Sequence, residues 1–240
     1  MPTFRHGKKT VVLFNGTDMS PFLNEATETT EIETAETTAF GDGDKTYIVG
    51  LADGTISTSG MFDSSAGASD PVLRGMIGED DNTFTVLPEG ATSGSRSIIA
   101  NGQLTSYEVS SPVSDVVAIS AEIQADGGLL HGVALNGLTN TGSASATTTG
   151  VNNGSATSNG ALFNLHVTSN TRNGSASVVV QHSADNSTYT DLVAFTAVSA
   201  STTVGESITS TGTVNQYLRT RSTLAGASGS ITYHVSAARR

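Results

Sequence analysis

The chain has no cysteine and no tryptophan, and its three lysines, Lys8, Lys9 and Lys45, all fall within the first 45 of its 240 residues. The missing cysteine excludes disulfide staples, thiolate nucleophiles and cysteine-based metal centres. Aromatic residues amount to only 5%, which leaves few stacking platforms for sugars or bases. Charged residues make up 14%, against about a quarter in ordinary soluble domains. No apolar run is long enough for a membrane span, and residues 11–14 are too short for a signal-peptide core. The expectation is therefore no membrane partner and assembly in the cytoplasm.

Ser, Thr, Asn and Gly supply the polarity that charge does not. Thr and Val favour strands while Gly and Asn favour turns, so the composition predicts an all-β protein. Charge is uneven along the chain. Residues 1–127 hold 19 acidic against 6 basic residues, a net of −13, whereas residues 128–240 have a net of +2. An acidic first half argues against a grip on nucleic acid, because phosphate binding needs Lys and Arg. Exposed strand edges are often guarded by lysine, and its absence beyond Lys45 points either to edges covered by partners or to a codon composition biased toward Arg and Ala.

The pattern divides the chain into a β-rich block over 1–138, a linker over 139–160 and a β-sandwich over 161–240. In the first block, strands are expected at 10–14, 24–38, 47–49, 55–61, 83–87, 94–99, 103–111 and 113–124. An Asn15-Gly16 turn follows the first strand, and a second turn is expected at 50–54. Asp70-Pro71 reads as the cap and first position of the one short helix, with Gly78 stopping it. Residues 139–160 are uncharged and nearly without large apolar side chains. They fit a free linker, whose ends would sit on the order of 25 Å apart, or an ordered insertion clamped by neighbours. Beyond them, six short strand patterns separated by Gly, Asn and Ser fit a small sandwich.

No motif carries chemistry. Gly41-Asp42-Gly43-Asp44 lacks the further acidic ligand that makes a calcium loop specific. The five histidines, His6, His131, His166, His182 and His234, lack helical or cysteine-paired spacing for a metal. No nucleophile elbow or phosphate-binding loop is present. The expectation is no enzyme, no cofactor and no metal.

The stretch Thr37-Thr-Ala-Phe-Gly-Asp-Gly-Asp-Lys-Thr-Tyr-Ile-Val-Gly-Leu51 and its continuation to Asp63 resembles the central segment of the tail-tube (major tail) proteins of long-tailed bacteriophages. The order is a polar Gly/Asp loop followed by strand material. Residues 105–113 and 121–128 resemble the closing strands of the same domains, so the likeness covers roughly residues 10–128. It implies a tail-tube domain of packed β-sheets that forms a barrel on oligomerisation, with an appended sandwich. It also implies hexameric rings of this chain stacked into a tube, and tail-tip, tape-measure and terminator proteins as partners. The protein would then sit in the virion tail, assembled in the host cytoplasm, with double-stranded DNA passing through without binding.

Two residue groups follow as candidates. Glu25, Glu28, Glu31 and Glu33, with Glu36 beyond them, are the acidic candidates for a tube lumen, where carboxylates would repel the duplex and leave it free to slide. Thr37, Thr38, Phe40, Gly41, Asp42, Lys45 and Tyr47 are candidates for the ring or stacking interface, with Phe40 as the apolar anchor. Rival readings are a trimeric phage head-decoration protein and a carbohydrate-binding adhesin. The absence of Trp weighs against the adhesin.

Overall fold

A computed structural model describes residues 5–140 and 144–240. The first four residues of the N-terminal block and residues 141–143 of the 139–160 segment lie outside the described residues. The chain is all-β with one short helix, and its strands pair antiparallel. In order they are β1 (Val11–Phe14), β2 (Thr17–Asp18), β3 (Leu23–Glu36), β4 (Tyr47–Met61), then α1 (Ser69–Gly75). There follow β5 (Asn82–Leu87), β6 (Arg96–Ser110), β7 (Ala118–Ala134), β8 (Thr139–Asn140), β9 (Ala146–Thr147) and β10 (Val151–Asn152). The last set is β11 (Ala161–Asn170), β12 (Ala176–Ser183), β13 (Thr190–Ala194), β14 (Val204–Ser210), β15 (Tyr217–Leu224) and β16 (Ile231–Arg239). Among the described residues the single chain closes no barrel. Among the described residues no helix is long and apolar enough to cross a membrane.

One large sheet runs β14-β11-β16-β7-β6-β5-β1-β2; β4 pairs with residues 118–124 of β7 on the same edge that β16 meets at 133–134, and β3 lies beyond β4. A second sheet, β10-β15-β12-β13, with β9 on β15, covers one face of β11 and β16. Between them Phe163, Leu165 and Val167 meet Val178, Val180, Leu218, Tyr233 and Val235 in a closed apolar core. The N-terminal core gathers Phe14, Ile56, Leu73, Phe84, Ile119 and Ile123 under α1. Phe14 and Phe84 meet edge to face with centroids 5.1 Å apart, a favoured aromatic geometry.

The opposite face of β11 is polar yet buried, and it locks the two cores together. Asn164 donates to the carbonyls of Phe84 (2.9 Å) and Ala100 (3.0 Å). The Gly16 N–H donates to His166 Nδ1 at 3.2 Å. The proton therefore sits on His166 Nε2, 2.9 Å from Thr85 Oγ1. His234 lies directly across the strand pair from His166, also fully buried. Burial holds both imidazoles below the usual histidine range, His234 down to about 4.

Several local expectations change. Residues 50–54 are not a turn: β4 runs unbroken from Tyr47 to Met61, and its extra residue is absorbed as a bulge at Gly50 and Leu51, opposite Glu33. A Cβ at Gly50 would lie only 3.1 Å from the Glu33 Cβ, so the bulge fits a residue without one. The strands expected at 94–99 and 103–111 are one strand, β6, with register shifts across Ala100 and Thr105. β7 begins at Ala118 rather than at 113, because Val113 and Val116 stand exposed in a turn where no strand pairs with them. Ala68, not Asp70, caps α1. The Asp70 carboxylate accepts the Tyr107 hydroxyl at 2.7 Å instead. As expected, Asn15 and Gly16 form a two-residue hairpin turn, both with positive φ (44° and 81°). Of the two options for 139–160, the described part is clamped. β9 and β10 pair with β15, and Thr157 bridges Val214.

Candidate functional site

Four strands in the order β3-β4-β7-β6 make a sheet whose two faces differ in chemistry. Alternation sends every second residue to each face. One face carries Ile56, Ile119, Ala121 and Ile123 into the N-terminal core. The register places Glu25 opposite Ser59, Glu31 opposite Asp53, Ser57 opposite Glu122 and Glu108 opposite Ser120. The other face is thus mainly acid, hydroxyl and amide, with Met61 and Ala118 paired at one end. At its centre is a shallow depression of about 390 Å³, lined by Glu25, Ser57, Ser59, Ser106, Ser120 and Glu122. β3, β4 and β7 contain no Lys or Arg, and β6 has only Arg96 at its first position. Glu31 and Asp53 face each other as like charges, a mildly destabilising pair. The Gln124 amide and the Gly54 N–H both donate to Asp53 Oδ1 and offset it.

The four lumen candidates do not share one face. Glu25, Glu31 and Glu33 lie on the acidic face. Glu28, an odd number of residues from each, points to the opposite face beside Ala26. There it is half-buried; desolvation raises its pKa, against its own backbone amide and the charge of His131. Glu36 is drawn into an ion pair with Lys45 at 3.0 Å. Sequence reasoning missed Asp53, Glu108 and Glu122. Their signal was the alternation of 53–59, 106–110 and 118–124, but only strand register brings them beside Glu25 and Glu31.

Beyond the body of the protein β3 and β4 continue alone as a projecting hairpin. Its side chains are solvent-exposed from Thr29 on β3 and up to Asp53 on β4. The core-facing side of the sheet continues onto it with nothing beneath. Ile32 is 57% exposed, Val49 76% and Tyr47 55%, and Leu51 at the bulge is 78% exposed. The loop at its end is ordered by its own hydrogen bonds. The Thr37 N–H donates to the Thr46 carbonyl (2.8 Å), the Thr46 N–H to Thr38 Oγ1 (3.1 Å), and the Ala39 N–H to Asp42 Oδ2 (2.8 Å). Gly41 turns the chain with φ of 105°. Phe40 does not fold back on its own sheet; its side chain is fully exposed, at 112%.

Both outer edges of the four-stranded sheet are open. Among the described residues β3 pairs only with β4. β5 covers β6 only as far as Gly102, so among the described residues no strand pairs with 103–110 on that side. Among the described residues no group of His, Asp and Glu is placed to hold a metal ion.

No protein-family model and no curated protein matches the chain. Solved structures resemble it in shape. One is a chain from the virion of a native gene transfer agent particle, at 15% identity and a TM-score of 0.43, covering 52% of this chain and 97% of that one. A second comes from the tail of an empty gene transfer agent particle refined with C6 symmetry, at 14% identity and a TM-score of 0.42, with the same coverage. A third is the SPP1 Dit protein, described as a paradigm of the hub adsorption apparatus of phages infecting Gram-positive bacteria. Its identity is 15% and its TM-score 0.35, over 95% of this chain and 98% of that one.

Proposed function

We propose that the protein is a structural, non-enzymatic subunit of a phage tail tube, and that its acidic sheet face lines the tube. The observation that carries this is a four-stranded sheet with acid on one face, uncovered apolar residues on the far end of the other, and two open edges. An isolated protein gains nothing from such a sheet: the edges invite pairing and the apolar underside is left in water. Copies set side by side, β3 of one against residues 103–110 of the next, would pair both edges and close a barrel without ends. The sixfold ring number comes from the family resemblance alone.

Closed in this way, the barrel presents Glu25, Glu31, Glu33, Asp53, Glu108 and Glu122 to its interior. Duplex DNA carries one negative charge per about 1.7 Å of axis. A lumen with lysine or arginine would release counterions and hold the duplex. Carboxylates give no such gain, and at 0.1 M salt their repulsion reaches only about 10 Å. The duplex is centred and free to move. Tail-tip, tape-measure and terminator proteins are the partners expected at the tube ends and interior, and the virion tail is the expected location.

The test is electron microscopy of the purified protein over a concentration series, with scattering mass on the same samples. Stacked rings with a pore wide enough for a duplex are expected. Compact trimers without a pore would turn the reading to head decoration.

A further inference from the structure

The second sheet, β10-β15-β12-β13, turns one face into the sandwich core and the other away from it. Val178, Val180 and Leu218 point inward. Alternation therefore sends Gln181 of β12 and Tyr217, Arg219 and Arg221 of β15 to the outer face. The register sets Gln181 between Arg219 on one side and Asp191 of β13 on the other.

These planar side chains hold one another in place. Arg219 Nε donates to Gln181 Oε1 (2.8 Å), and the Gln181 amide donates to Asp191 Oδ1 (2.7 Å). Arg221 closes the row on Asp191 Oδ2 at 2.8 Å. Tyr189, just before β13, lies under the Arg219 guanidinium, which sits 3.7 Å from the ring centroid. Its hydroxyl donates to Asn186 Oδ1, and Gly150 passes so close that a Cβ there would overlap that hydroxyl. Covered by this layer, Gln181 is only 4% exposed.

The hydrogen-bonding capacity left over is one-sided. The carboxylates are engaged already: Asp191 by Gln181 and Arg221, Asp185 by the Thr188 and Ser187 amides and the Ser183 hydroxyl. Those bonds hold both acids below the usual carboxylate range. Donors remain. Both terminal nitrogens of Arg219 and Nη1 of Arg221 have no acceptor among the described residues, and the Tyr217 hydroxyl has no partner there. An open guanidinium fork matches a carboxylate through two parallel hydrogen bonds. The rings of Tyr217 and Tyr189 add stacking surface beside it. Tyr217, Arg219 and Arg221 make a row of about 14 Å, which suits an extended chain better than a single small ion.

We propose that this outer face of the sandwich binds a polysaccharide containing uronic acid. The sugar carboxylate sits on the Arg219 fork, and a sugar ring lies against Tyr217. No tryptophan is needed, because two tyrosines and two arginines supply the ring surface and the donors. The face lies outside the four-stranded acidic sheet, so the inference stands apart from the tube reading.

The test is fluorescence anisotropy of a labelled oligogalacturonate titrated with the whole chain at pH 7. Salt is kept at about 0.15 M, where exposed charges alone are largely screened. Saturable binding is expected, displaced by unlabelled oligogalacturonate. Dextran, which has rings without carboxylates, and polyglutamate, which has carboxylates without rings, should compete about tenfold less well, as should duplex DNA. Arg219→Lys keeps the charge but not the fork and should weaken binding about tenfold. Tyr217→Leu, at a side chain that makes no hydrogen bond, should weaken it as much while leaving the urea midpoint in place. No saturable binding, or an affinity indifferent to both variants, would overturn the proposal. So would equal competition by dextran or polyglutamate, and equal competition by DNA would make the face a phosphate contact instead.

Discussion

On β11 and β12, Phe163, Leu165, Val167, Val178 and Val180 face one another across two sheets and none is exposed. On the projecting hairpin, Ile32, Tyr47, Val49 and Leu51 have no such cover, although the same alternation of polar and apolar residues built both regions. The sandwich is complete within one chain. On the proposed function, the hairpin is half of a structure whose other half is another molecule. On that proposal the difference separates residues that stabilise the fold from residues that would specify assembly, and substitutions in the two regions should fail in different ways.

The largest effect is expected in the sandwich core. Phe163→Ala should cost about 3–5 kcal/mol, read from urea unfolding, and should remove assembly only because it unfolds the subunit. Acidification comes next. His166 and His234 are buried neutral, with pKa values below those of the unfolded chain. The unfolded state therefore binds more protons below about pH 6.5. Their contribution is intact above that pH and is lost as pH falls toward 4. For His234 alone the loss is on the order of 3 kcal/mol. Glu28 runs the other way, because its raised pKa favours the folded state at low pH. A urea midpoint that falls between pH 7 and 5, less steeply in His234→Asn, would support this; a flat profile would count against it.

Substitutions on the hairpin side should spare the monomer. Reversal of Glu25, Glu31 and Glu33 to Lys should leave the fold intact yet create duplex binding. That binding should weaken with salt at a log–log slope of roughly 0.9 per phosphate contacted, measured by gel shift over a salt series. Phe40→Ala should change stability by less than about 0.5 kcal/mol while abolishing polymer in sedimentation. A large loss of stability would instead make Phe40 a core residue. Smallest of all, Lys45→Ala removes an exposed pair worth about 0–1 kcal/mol.

The sequence shows why some of this was legible and some was not. The Glu/Thr alternation of 24–38 announced a solvated strand, and β3 is one. Asn15-Gly16 announced its hairpin turn because both residues accept positive φ. Gly50 and Gly54 misled in the other direction, since glycine marks a bulge in a continuous strand as readily as a turn. The glutamates were grouped by nearness along the chain. A spacing of three crosses from one face of a strand to the other, which is why Glu28 parts from Glu25 and Glu31. Asp53, Glu108 and Glu122 join the site only through the register of β4, β6 and β7, and no local pattern encodes register. The buried polar layer around Asn164 and His166 was hidden for a related reason. A histidine in a strand reads as half-exposed until the strands folded over it are known, here the β1–β2 turn and β5.

The central claim, that the acidic face turns inward when copies assemble, can be read from reagent access. Ser57→Cys places a single thiol on that face, and Ser187→Cys places one on the sandwich; both positions are exposed in the monomer. In the assembled protein a small maleimide should label both. A maleimide on a polymer too bulky for the pore should label Ser187→Cys and leave Ser57→Cys unmodified. Equal labelling of both sites by the bulky reagent would contradict the account.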